Sequence, residues 1–336
     1  MGDQALHHQA LHQSVLLDEV VTALSPRDGA RYLDATFGNG GYSRAILDAA
    51  DCQVVAIDRD PDAIMRGADM CAEYEPRFSL VEGCFSDMTG LIAAADSKAG
   101  GLEPTAARLD GAAFDLGVCS TQLDQAERGF SFRFDGPLDM RMSRSGESAA
   151  DVVMHSTEQR LAQILWDYGE EKASRRIAKA IVKARAETPI TTTAQLVAII
   201  HAVMPAKRPG QIDPATRSFQ ALRIFVNREL DELHAGLAAA EAMLKPGGIL
   251  AVVSFHSLED RIVKRFMTAR SQAAARPSRH RPMPDGPAPT LELQSRKAII
   301  PQQAEQSENA RARSAKLRVA RRTDAPLHPY EWEPSR

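Results

Sequence analysis

A chain of 336 residues is long enough for one large domain or two ordinary ones. Its 41 basic and 44 acidic residues leave a net charge of −3, so the molecule as a whole is not a basic nucleic-acid binder. No apolar run approaches the roughly 20 residues of a membrane helix, and the polar, His-rich start has no signal-peptide pattern. The four cysteines (Cys52, Cys71, Cys84 and Cys119) form no C-x-x-C pair, which leaves zinc and redox motifs unsupported and fits reduced thiols in the cytoplasm. His7, His8 and His12 lack the neighbouring Cys or acid spacing of a metal site, so no metal is expected and the tail 1–11 reads as frayed.

The first third alternates strand and helix. Strands are predicted at Tyr32–Thr36, Gln53–Asp58, Arg77–Glu82 and Gly111–Leu116, with a helix from Tyr42 to Ala50 and another opened by Pro61 at its favoured first position. The strands are short apolar runs without clean alternation, as expected when both faces are covered. This order implies a parallel, doubly wound sheet. Periodic helical faces then take over: Leu161, Ile164, Leu165 and Tyr168; Ile177, Ile181 and Val182; Leu196 to Ile200 behind Thr191–Thr193 as caps. Residues 122–217 read as a helical insertion, with the core formed by 12–121 and 218–322. A single long helix is predicted from Ser218 to Leu244, closed by the positive φ of Gly247 or Gly248. A strand at Ile249–Phe255 resumes the sheet, 271–290 reads as a flexible loop, and Leu317–Ala320 as a last short strand. No pattern is legible in the tail 323–336.

Charge is distributed unevenly. Lys172 to Arg185 carries six basic residues and no acid, and Arg261–Arg281 and Arg311–Arg322 are similarly one-sided. Each alone reads as a solvated face; three such runs on a chain of negative net charge point to a polyanion partner.

The segment Leu33-Asp34-Ala35-Thr36-Phe37-Gly38-Asn39-Gly40-Gly41-Tyr42 joins an acid at a strand tip to a glycine-rich turn and a helix start, where bare backbone N–H groups meet a ligand. A dinucleotide fold wants G-x-G-x-x-G, and here the third glycine is missing from its place. Asp34 would repel a pyrophosphate and suits a positively charged amino group. Asp58, at the next strand tip, suits two ribose hydroxyls. Gly83-Cys84-Phe85 after the third strand is placed to cover an adenine, with core packing an equal alternative for Phe85. The pattern favours an α/β class I S-adenosylmethionine-dependent methyltransferase (a Rossmann-like, mostly parallel sheet) with an inserted all-helical domain; a nicotinamide dehydrogenase is a distant second.

Asp115-Leu116-Gly117-Val118 ends the fourth strand, where open parallel sheets gather their chemistry. Enzymes that methylate nucleobase amines place an acceptor there, often as Asp/Asn-Pro-Pro-Tyr. The Pro-Pro-Tyr part is absent, so the pattern alone leaves the substrate open. Several blocks do carry a resemblance: His12-Gln13-Ser14-Val15-Leu16-Leu17-Asp18-Glu19, Glu127-Arg128-Gly129-Phe130-Ser131-Phe132, Asp135-Gly136-Pro137-Leu138-Asp139-Met140-Arg141-Met142, Pro214-Ala215-Thr216-Arg217, Ser254-Phe255-His256-Ser257-Leu258-Glu259-Asp260-Arg261 and Asn309-Ala310-Arg311-Ala312-Arg313-Ser314. From His12 to Arg322 the chain resembles the ribosomal RNA small subunit methyltransferase H (MraW-like) family.

That resemblance implies N4-methylation of a cytidine in the decoding region of 16S ribosomal RNA from S-adenosylmethionine, in the cytoplasm and away from membranes. Its partner would be the small ribosomal subunit, and a homodimer stays open. Carried over by motif, the cofactor contacts are Gly40, Gly41, Tyr42, Asp58, Phe85, Asp115 and Gln122. Asp115 is also the candidate at the target amine. Ser254 and His256 are candidates to face the base, with a hydrogen-bonding role toward Glu259 or Asp260 an equal reading for His256. Arg141, Arg217 and Arg223 are candidates for phosphates, with internal ion pairs as the alternative. Two positions depart from the family pattern: Tyr42 stands where His is usual, and Cys119 where Ser is usual. Another nucleic-acid amino-methyltransferase, or a non-catalytic assembly factor that keeps the cofactor fold, are the alternatives.

Overall fold

The computed structural model describes residues 14–98, 109–205, 211–272 and 287–333. The expected N-terminal tail and most of the expected 271–290 loop lie outside the described residues. The chain forms two compact units. One comprises Met1–Asp58, Asp62–Leu116 and Gly236–Tyr330; the other comprises Arg59–Pro61, Gly117–Ala235 and Glu331–Arg336.

The first unit is built on a seven-stranded sheet: β1 (Arg31–Asp34), β2 (Gln53–Asp58), β3 (Phe78–Glu82), β4 (Leu109–Asp115), β5 (Leu244–Ser254), β6 (Leu291–Leu293) and β7 (Lys316–Arg322). The spatial order is β3-β2-β1-β4-β5-β7-β6. Strands β1 to β5 are parallel, while β7 runs antiparallel between β5 and β6. The central strands read as apolar runs because helices cover both faces; every residue of β4 before Asp115 is buried. Helices Leu17–Leu24 and Gly41–Ala49 pack on one face through Val20, Leu24, Ile46 and Leu47, against Tyr32, Val54 and Ala113. Register fixes the functional edge. Asp34 pairs with Ala56 and Ala113, Asp58 with Glu82, and Asp115 with Val253, so three acids sit at the carboxyl ends of neighbouring parallel strands.

The second unit is helical. Glu158–Gly169, Ser174–Glu187 and Thr193–Val203 bury the apolar stripes expected of them, through Leu161, Ile164, Ile177, Ile181, Leu196 and Ile200. Thr192 is the cap of the third helix and forms a reciprocal pair with Gln195. Helix Thr216–Asn227 packs on Glu158–Gly169 and belongs to this unit. An ion pair sealed from water anchors the unit's irregular segment. Arg128 Nη1 donates to Asp60 at 3.0 Å, and its Nη2 donates to the carbonyls of Arg141 and Met142. Arg128 and Asp60 are 4% and 1% exposed.

The structure differs from the sequence reading in four places. The long helix expected from Ser218 to Leu244 is two helices, Thr216–Asn227 and Glu229–Met243, separated at Arg228, whose φ of 51° is left-handed. The buried Asn227 side chain also reaches backbone beyond its helix, donating to the Met140 carbonyl and accepting from Met142 N. Second, the Lys-Pro-Gly-Gly turn does not close a helix. It lies inside β5, where the pairing jumps from Leu109↔Leu244 to Gly111↔Ile249, and Gly247 (φ 87°) supplies the left-handed residue of that irregularity. Third, β6 has only three residues, too short for a periodic signal. Fourth, part of the patternless tail is packed: Tyr330 meets Phe266 edge-on at 4.8 Å and lies under Arg270.

Because Asp60 is buried, removing its arginine leaves an uncompensated charge. Arg128→Ala is expected to cost about 3–5 kcal/mol, measured by denaturant unfolding, and Asp60→Asn in the same background to recover part of it.

Candidate functional site

The site of the first unit lies at the carboxyl edge of β1, β4 and β2. Asp34 is 1% exposed. One of its oxygens accepts from the Ser43 hydroxyl at 2.7 Å and the other from Thr36 N at 3.2 Å. Burial pushes its carboxyl up to about 6, the Ser43 and Thr36 hydrogen bonds opposing the rise and the Asp58 charge adding to it. Thr36 ties the next strand in, its hydroxyl accepting from Asp115 N at 2.6 Å.

The glycine turn is shaped by contacts that tolerate no side chain. Gly40 has φ 77° and precedes helix Gly41–Ala49; a Cβ there would lie 2.7 Å from the Phe37 ring. A Cβ on Gly41 would fall 2.1 Å from Ser14 Oγ. Gly38 N donates to Asp58 Oδ2 at 2.7 Å, so the β2 acid and the turn hold one another. Tyr42 is buried and its hydroxyl donates to the Val15 carbonyl at 2.5 Å, pinning the N-terminal segment to the turn. Burial, with the Asp115 and Asp34 charges, raises that phenol well above its ordinary value. Tyr42 therefore has a structural use here.

Phe85 is half-buried, meeting Phe114 edge-on at 5.4 Å, and a Cβ on Gly236 would come within 2.4 Å of its ring. Gly236 is thus part of the Phe85 wall, a role invisible in sequence because the two residues lie on distant elements.

Asp115 carries the sharpest signal. Its Oδ1 is shielded from solvent and, among the described residues, has no hydrogen-bond partner. Burial raises its carboxyl to about 7; the Arg311 guanidinium opposes the rise, and Asp34 and Glu259 add to it. A buried polar atom without a partner is costly, and a cluster of raised carboxyls is relieved by a cation or by a hydrogen-bond donor. Both features fit a sulfonium nucleoside and a hydrogen-bond donor.

The remaining candidates are engaged within the protein. Ser254 is buried, its hydroxyl 3.4 Å from the Lys316 carbonyl. His256 caps helix Ser257–Ser271: its Nδ1 accepts from Glu259 N, while Glu259 Oε2 accepts from Phe255 N at 2.8 Å and from His256 N at 3.2 Å. In the second unit, Gln122 accepts from Cys119 N through Oε1 and donates to Asp60 through Nε2. Cys119 caps that short helix, its sulfur 2.7 Å from Thr121 Oγ1. Arg141 holds Asp139 through two nitrogens, and Arg223 holds Glu229 likewise. Arg217 is exposed, with one 3.4 Å contact to the Glu170 carbonyl. Sequence reasoning missed Arg311 and Glu305, which approach from the C-terminal segment; Glu305 accepts from Leu16 N at 2.8 Å.

A sheet ordered β3-β2-β1-β4-β5-β7-β6 with a reversed β7, a glycine turn after β1 and acids at the tips of β1, β2 and β4 defines a class I methyltransferase. The profile of the MraW methylase family matches residues 9–323, and the chain belongs to that family. It is 56% identical over 317 residues to the ribosomal RNA small subunit methyltransferase H of Rhodopseudomonas palustris (strain TIE-1), covering 94% of this chain and 92% of that protein. It is 57% identical over 318 residues to the protein of the same name from Methylocella silvestris, covering 94% and 89%. A solved rRNA methylase from Streptococcus thermophilus aligns with 92% of this chain and 94% of its own at 9% identity and a TM-score of 0.38.

The raised carboxyl has a signed consequence. A carboxyl whose value is about 7 folded and lower unfolded contributes stability at low pH that is lost as pH rises through 7. Asp115→Asn removes that loss, so the stability of the variant relative to the wild type is expected to increase between pH 4 and pH 8, read by urea unfolding at each pH.

Proposed function

We propose that this chain transfers a methyl group from S-adenosylmethionine to the N4 amine of a cytidine in the decoding region of 16S ribosomal RNA, within the small ribosomal subunit. Family membership and the names of the relatives support ribosomal RNA as the substrate. The observation that carries the choice of an amine acceptor is the unpartnered Asp115 Oδ1 at the β4 tip.

The methyl donor is S-adenosylmethionine, which supplies an electrophilic methyl group when bound. The backbone of the turn at Gly40 and Gly41 would face its methionyl part, Asp34 would supply negative charge for the ammonium, Asp58 would take the ribose hydroxyls, and Phe85 would flank the adenine. A cation beside Asp115 brings its carboxyl back down, so the group is ionised when the site is loaded. Asp115 Oδ1 would then accept from one N4–H and hold the amine, whose lone pair is otherwise delocalised into the ring, and the proton that the methyl group displaces from N4 would pass to solvent. The chain's contribution to rate is chiefly this orientation of two reactants. The target base must leave its stack to reach the strand tip.

The helical unit supplies the RNA contact. Helix Ser174–Glu187 turns Arg175, Arg176, Lys179 and Lys183 to solvent, while Ile177 and Ile181 face inward. This exposed basic face fits a phosphate backbone. The arginines at Arg141 and Arg223, already bound to carboxylates, support the unit's own geometry instead.

Asp58→Ala is expected to weaken S-adenosylhomocysteine binding about 10- to 100-fold by calorimetry, the loss of hydrogen bonds to a charged group; unchanged affinity would remove the ribose assignment. Neutralising Arg176 and Lys179 together is expected to lower the salt slope of RNA binding by roughly 1 to 2. An identical slope would reduce that helix to a solvated face. A transfer assay with small subunits, naked 16S RNA and DNA decides the substrate: turnover greatest on DNA would refute the RNA reading.

A further inference from the structure

One cation, Arg311, stands at the strand tips. Arg311 lies in the short helical turn Ala310–Ser314 that leads into β7. Because β7 pairs antiparallel with β5, Lys316 lies beside Ser254, and the turn before it stands over the carboxyl ends of β5 and β4. There the Arg311 guanidinium sits 4.8 Å above the ring of Phe255, the residue that follows β5. Its backbone N–H is held by Asn309 Oδ1, so the turn is braced.

The other arginines and lysines of this region are committed. Arg318 and Lys316 both hold Asp260, and Arg313 donates to the Gln306 carbonyl. Among the described residues, the Arg311 guanidinium has no hydrogen bond and no carboxylate within ion-pair distance. It is nevertheless close enough to act on the Asp115 carboxyl and on the Tyr42 hydroxyl, easing the ionisation of both. Two unmet groups thus face the same edge of the sheet: an acceptor oxygen on Asp115, and a planar fork of donors stacked on Phe255.

Their chemistry is complementary to one base. Along its Watson–Crick edge cytosine offers an amine donor at N4 and then two acceptors, N3 and O2. Adenine has the amine and one acceptor but a C–H in place of O2. Uracil and guanine place a carbonyl where the amine should be, against the carboxylate. Flipped bases are read along this edge, and a site built on such hydrogen bonds rejects bases that leave its buried groups unpaired.

We infer that Arg311 is a base-reading residue, donating from its guanidinium to O2 and N3 of the target cytosine while Asp115 accepts from N4, with Phe255 holding the fork in plane. This rests on the cytosine-N4 reading above. It assigns Arg311 to the acceptor base and not to the cofactor.

The test uses the full-length wild type, Arg311→Gln and Arg311→Lys, with small ribosomal subunits from a strain lacking the gene. Methyl transfer gives kcat/KM, nucleoside digestion identifies the product, and calorimetry gives S-adenosylhomocysteine affinity. Arg311→Gln is expected to lower kcat/KM by roughly 10- to 100-fold while cofactor affinity stays within about twofold, as for a charged hydrogen bond made to the base alone. Arg311→Lys keeps the charge but loses the fork and is expected to lose about three- to tenfold, which carries the test should the glutamine variant not fold. A parallel fall in S-adenosylhomocysteine affinity would overturn the inference and place the guanidinium on the cofactor. N4-methylcytidine from the wild type with unchanged kcat/KM in both variants would overturn the inference alone. A wild-type product other than N4-methylcytidine would overturn the function reading as well.

Discussion

The placement of Asp34 and Asp115 at neighbouring tips of a parallel sheet governs much of the first unit. Burial drives both carboxyls upward, to about 6 and about 7. Asp34 is satisfied by Ser43 and Thr36, whereas Asp115 keeps an oxygen sealed from water and, among the described residues, without a partner. A fold optimised for stability alone would pair or remove that atom. Keeping it preserves a local field that favours a cation and a hydrogen-bond donor, and the surrounding structure is arranged to hold it. Thr36 fixes the backbone of Asp115, Asp58 fixes the glycine turn, and Tyr42 fastens the N-terminal segment over that turn.

Arginines in this chain divide by their partners. Arg128, Arg141 and Arg223 each engage a carboxylate at hydrogen-bond distance and brace the helical unit from within. Arg175 and Arg176 lie on an exposed helix face, and Arg311 stacks on a ring with its guanidinium making no hydrogen bond among the described residues. Charge counting treats these residues alike. Only the geometry separates those that hold the fold from those left exposed or stacked on a ring.

Much of the fold was legible because its signals are local. Gln53–Asp58 is a strand as read, and the insertion helices bury the faces that their 3.6-residue period marks. The turn residues around Gly40 and the acids at strand tips were legible for the same reason, since strand, acid, glycine and helix follow one another directly. The break at Arg228 was not, because it lies in continuous helical periodicity and its left-handed residue is not a glycine. The glycines of Lys-Pro-Gly-Gly were read as a helix stop, although what places them is strand pairing with β4. Arg311, Gly236 and the packed Tyr330 depend on contacts between segments far apart in sequence, which no single window contains. The capping of helix Ser257–Ser271 by His256 was one of two open readings, and the hydrogen bonds to Glu259 show that this capping is made.

Under the proposed function, the Asp115 carboxylate presents a cytidine amine of the small-subunit RNA for methylation. The most direct measurement is mass spectrometry of nucleosides from 16S RNA of a strain lacking this gene, complemented with the wild type or with Asp115→Asn. The account predicts that N4-methylated cytidine is absent from the deletion, restored by the wild type, and reduced to a small fraction by Asp115→Asn at equal protein level. Unchanged N4-methylated cytidine in the deletion strain would contradict it.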